Sequence, residues 1–99
     1  MGRRSRDERS KIAGRIAQRK SVSAVHTPEG TNLIHEIELR PALSDDGLTL
    51  QVAVYREGEF YAEDNWLIDD KWTFATLDEA LTFLQERFDL DYRKVRLRG

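Results

Sequence analysis

Two runs of alternating apolar and polar residues, on either side of Ser44-Asp45-Asp46-Gly47, constrain this chain more than any other feature. In the first, from about Asn32 to Leu43, Leu33, His35, Ile37 and Leu39 point one way, and Ile34, Glu36, Glu38 and Arg40 point the other. In the second, Leu48, Leu50, Val52 and Val54 alternate with Thr49, Gln51, Ala53 and Tyr55. A period of two with one apolar face belongs to a half-buried strand, and the Asp-Gly pair between the runs predicts an antiparallel hairpin. Pro41 weakens pairing near the end of the first run.

The rest of the chain extends this hairpin. Val22 and Val25 lie in a β-rich stretch that ends at the turn Thr27-Pro28-Glu29-Gly30. After a turn at Glu57-Gly58, strand character is expected over Glu59 to Ala62. A polar kink follows at Glu63-Asp64-Asn65, then strand again at Trp66-Leu67-Ile68, a turn at Asp69-Asp70, and strand over Lys71 to Ala75. Thr76 and Glu79 have the spacing of a capping box, and Leu77, Ala80, Leu81, Leu84 and Phe88 fall on one helical face. Beyond Asp89, Tyr92, Lys94 and Arg96 alternate with Arg93, Val95 and Leu97, which predicts a short basic edge strand.

The fold class is therefore α+β: an antiparallel meander of four to five strands packed on one C-terminal amphipathic helix. With 99 residues there is room for one domain, placed at 21–99 and preceded by a basic arm at 1–20. Ser5 and Glu8 also have capping-box spacing, and Ile12, Ala13, Ile16 and Ala17 form a narrow apolar stripe interrupted by Gly14. Such a segment is either disordered or a marginal helix that forms on docking, because nucleation is costly and Gly14 weakens it by about 1 kcal/mol relative to alanine.

Charge divides along the same boundary. Residues 1–20 hold eight basic side chains against two acids, a net of +6, and residues 21–99 hold eight against sixteen, a net of −8. An arm of this kind seeks polyanions or acidic surfaces, and the body repels them. The chain has no cysteine, which removes disulfides, thiolate metal sites and cysteine nucleophiles. With no apolar run near the ~20 residues that span a bilayer, no membrane partner is expected, and a cytoplasmic location is the working expectation.

Little in the sequence points to catalysis. His35-Glu36 resembles the start of a zinc motif but has no second histidine four residues on, so His35 is expected to be a packed or half-buried structural residue and His26 a solvated one. No enzymatic role, metal or cofactor is expected. The acids Glu57, Glu59, Glu63, Asp64, Asp69 and Asp70 lack the spacing of a calcium loop and suggest a solvated acidic rim. The nine aromatics all lie between Tyr55 and Tyr92, most of them placed to pack against the helix.

The leading expectation is a non-catalytic interaction protein that binds a partner protein through its sheet face or acidic rim, with self-association as a homodimer. The candidate contacts are Ala53, Tyr55, Glu57, Glu59, Glu63, Asp64, Asp69 and Asp70. The alternative is a nucleic-acid-binding accessory protein. It would use Arg3, Arg4, Arg6, Arg9, Lys11, Arg15, Arg19 and Lys20, joined by Arg93, Lys94, Arg96 and Arg98 if the two termini meet.

Overall fold

A computed structural model describes residues 3–42, 47–95, 97 and 98, with the side chains of 3–7, 94 and 95 outside the description. The elements run α1 (Arg3–Ala17), β1 (Val22–His26), β2 (Leu33–Pro41), β3 (Leu48–Arg56), a 3-10 turn (Glu63–Asn65), β4 (Ile68–Phe74), α2 (Leu77–Phe88) and α3 (Tyr92–Val95). The strands form one antiparallel sheet in the order β1-β2-β3-β4. The fold is thus a small α+β structure with a four-stranded meander, as the alternation predicts.

Register follows from the apolar faces. Val22 pairs with Leu39, Leu39 with Leu50, and Leu50 with Trp72, so one row of side chains crosses the whole sheet on the buried face. The next such row joins Ala24, Ile37, Val52 and Asp70. A slip of one residue in any pair would send this set into water, which is why the register is tightly specified.

Both helices cover that face: α1 packs over β1 and β2, and α2 over β3 and β4. Ala80, Leu81 and Leu84 of α2 join Ile37, Leu39, Leu50 and Val52 in the core, and Phe83 and Phe88 pack on Trp72 at 4.8 and 5.8 Å between ring centroids. Thr76 caps α2 by accepting a hydrogen bond from the Glu79 amide at 3.2 Å. At its other end Asp89 takes a left-handed conformation, φ 55°, and the Leu90 amide reaches back to the Leu84 carbonyl at 3.2 Å while the Leu90 side chain is buried.

The basic segment is helical, and it is a layer of the fold: Ile12 is 1 % exposed and Ile16 packs against the core. Helix α1 starts at Arg3, so Ser5 lies within it and is not its cap. It ends in the same way as α2. Arg19 adopts φ 63°, and the Arg19 and Lys20 amides donate to the carbonyls of Ile16 and Arg15, each at 2.9 Å.

Further sequence expectations are corrected, among them the strand at Trp66-Leu67-Ile68, of which only Ile68 lies in β4. Glu59 to Ala62 is turn rather than strand, because the Gly58 turn (φ 88°) leads directly into the 3-10 turn and gives this segment no neighbouring strand to pair with. Asp69 and Asp70 lie inside β4, opposite Ala53 and Val52; cross-strand pairing overrides their local preference for turns. Tyr92–Val95 is a helical turn rather than an edge strand. What remains of that strand is one bridge, in which Ser23 and Arg98 exchange backbone hydrogen bonds of 2.6 and 2.8 Å. The second strand ends at Pro41, and the Ser44-Asp45-Asp46 part of the predicted turn lies outside the described residues, although the Ala42 amide bonds the Gly47 carbonyl across it at 2.9 Å.

Candidate polyanion-binding groove

The Ser23–Arg98 bridge brings the two basic segments of the chain together. Arg98 therefore lies along the outer edge of β1, over which α1 packs. Between α1 and Arg98 is an open groove of about 670 Å³, lined by Glu8, Lys11, Gly14 and Arg15 on the helix, by Gln18 in the turn after it, and by Leu97 and Arg98. Lys11 and Arg15 share a helical face through i, i+4 spacing, next to the Ile12 stripe that docks the helix. Gly14 sits between them, and a Cβ there would meet nothing within 4 Å, so the helix backbone is open to the groove.

Three cations and one carboxylate line this groove. Lys11 and Arg98 are exposed, and Arg15 is half-buried with its Nε withdrawn from solvent and without a hydrogen-bond partner. A buried donor left unpaired costs about 1–3 kcal/mol, more when it is charged. None of the lining residues is aromatic, so the groove offers no platform on which a base could stack.

The remaining basic residues divide by role. Arg9 is committed to the fold: its Nε and Nη2 donate to the Asp78 carboxylate at 2.8 and 2.6 Å, linking α1 to α2. Arg19 donates to the Ala42 carbonyl at 2.7 Å, and Lys20 is exposed in the turn after α1. Arg93 forks onto Asp91 at 2.8 to 3.2 Å, and this hydrogen-bonded carboxylate raises its pKa. Arg3, Arg4 and Arg6 are on the first turns of α1 and Lys94 is on α3; their side chains, and all of Arg96, lie outside the described residues.

The candidate protein contacts are scattered. Tyr55 and Ala53 are 5 % and 7 % exposed. Tyr55 is covered on the outer sheet face by Trp66, stacked at 5.2 Å, and by Phe60, edge-on at 5.8 Å. Its hydroxyl donates to Glu36, and burial together with that carboxylate pushes its pKa up to about 12. Ala53 and Trp66 help line a shallow groove of about 330 Å³ on the same face. Glu57, Glu63 and Asp64 are exposed on the β3–β4 connection, where Glu59 approaches Arg56 at 3.7 Å. Asp69 and Asp70 are both exposed but lie on opposite faces of β4, so the acids form no single rim.

Sequence reasoning missed the exposed Phe60, Tyr61 and Leu67 of the β3–β4 connection, because large apolar side chains in an expected strand read as core. Among the described residues no three metal-ligating side chains cluster, and no helix is long and apolar enough to cross a membrane. No family model, curated protein or solved structure matches this chain.

Proposed function

We propose that this protein is a nucleic-acid-binding accessory protein that grips a phosphodiester backbone in the groove between α1 and its C-terminal segment. The observation that carries this reading is the convergence of Lys11, Arg15 and Arg98 on one open groove. Contacts of this type neutralise phosphates and carry no sequence information, so the expected binding is weakly selective for sequence. The absence of a stacking side chain in the groove lining favours duplex over single strands.

The test is binding of the full chain to labelled duplex and single-stranded DNA and RNA across a salt series. Each phosphate neutralised contributes a slope of about −0.9 to log K against log salt for duplex DNA, so three groove cations predict a slope of about −2 to −3 from this site. Lys11→Ala, Arg15→Ala and Arg98→Ala should each flatten the slope by about 1 and weaken all sequences alike. A slope unchanged in all three variants, or no binding near physiological salt, refutes the assignment.

Exposure favours a second reading, in which a partner protein docks on the β3–β4 connection. Tyr61 is 93 % exposed, and Phe60 and Leu67 present apolar surface beside it. Loss of partner capture on Tyr61→Ser, with nucleic-acid binding unaffected, would support that reading.

A further inference from the structure

The register of β1 on β2 sets His26 directly opposite His35 on the helix-covered side of the sheet, with ring centroids 6.5 Å apart and planes tilted by 58°. His35 is 8 % exposed and its Nδ1 is withdrawn from solvent with no hydrogen-bond partner. A fully apolar site would favour Leu or Ile here, as at the neighbouring Ile37. His26 is half-buried, so one side of the pair is open to solvent.

We propose that His26 and His35 form a two-histidine site for a borderline transition-metal dication of the Zn²⁺, Ni²⁺ or Cu²⁺ class. Imidazole nitrogen is the ligand these ions share, whereas Mg²⁺ and Ca²⁺ take oxygen. At metal–nitrogen distances of about 2.0–2.1 Å and a tetrahedral angle, two rings on one ion have centroids about 5.2 Å apart. The observed 6.5 Å is longer than this, so a bound ion would draw the two rings together between paired strands that hold both backbones.

No third protein ligand stands with the pair among the described residues, so the ion would keep open positions for water or an added ligand. A two-ligand site binds more weakly than the closed four-ligand sites that hold structural zinc.

The experiment is a titration of the metal-free full chain with Zn²⁺, and separately Mg²⁺, at slightly alkaline pH. The imidazole ring protons are followed by NMR and unfolding by calorimetry. Expected are shifts of both histidines with Zn²⁺ alone, one ion per chain, and a melting temperature that rises with free Zn²⁺ as ligand linkage requires. His26→Ala and His26→Gln change a half-buried side chain at the end of β1, and each should raise the dissociation constant at least tenfold. Histidine resonances that stay still at millimolar Zn²⁺ overturn the proposal. So does a His26 variant that folds and binds Zn²⁺ as the parent does.

Discussion

Truncating Ile12 to alanine tests whether α1 is a layer of the fold or an appended arm. Ile12 is 1 % exposed and belongs to the same buried cluster as Val22, Leu39 and Leu97. Losing its outer side-chain carbons at about 0.8 kcal/mol each removes about 2.5 kcal/mol of transfer free energy. The cavity left behind raises the total to about 3–4 kcal/mol, within the range for isoleucine-to-alanine changes in cores. For a domain of this size, each kcal/mol shifts the melting temperature by about 4–8 °C, so a fall of about 15–25 °C is expected. Urea unfolding followed by tryptophan fluorescence and circular dichroism measures the change, with Ser10→Ala, on the exposed side of α1, costing less than about 0.5 kcal/mol. A loss below about 1 kcal/mol for Ile12→Ala would refute the docking of α1. It would also remove the wall of the groove, since the shielded Arg15 Nε depends on that packing.

Other elements make separate predictions. Thr76→Ala removes the side chain that caps α2 and should cost about 1 kcal/mol in denaturant unfolding, with Thr76→Ser restoring most of it. The Tyr55 phenol, held protonated to about pH 12 by burial and Glu36, should resist ultraviolet titration through the ordinary tyrosine range. Because the folded pKa lies above the unfolded one, this stabilisation is complete below pH 10 and disappears as pH rises toward 12; Tyr55→Phe should flatten that alkaline fall. At the acid end, His35 has a folded pKa below its ordinary 6.5, so the unfolded chain binds the extra proton. In chelator-treated buffer, stability should hold above pH 6.5 and decline below it, and His35→Leu should lessen that decline. A decline as steep in His35→Leu as in the parent would assign it to other groups.

The elements legible in the sequence are those whose evidence is local. Leu33 to Leu39 and Leu48 to Val54 carry the period of a one-sided sheet, and the Leu77 to Phe88 stripe with its Thr76 cap carries that of a docked helix. Where tertiary pairing decides, local chemistry misleads. Asp69-Asp70 has the composition of a turn but is held in β4 by β3, and Tyr92–Val95 alternates like a strand but forms a helical turn. The same divide runs through the candidate sites. Sequence shows that residues 1–20 are basic, yet it cannot show that Arg9 is used up on Asp78, Arg19 on Ala42, and that Arg15 is left over. Nor does it show His26 opposite His35, because that depends on how many residues the Thr27 to Asn32 connection absorbs before pairing resumes. Both sites rest on residues distant in sequence that β1 brings together: Ser23 on its outer edge anchors Arg98, and His26 at its end meets His35. A change that frees β1 from β2 should therefore disable the groove and the histidine pair together, whereas damage to α2 or β4 should reach them only through global unfolding.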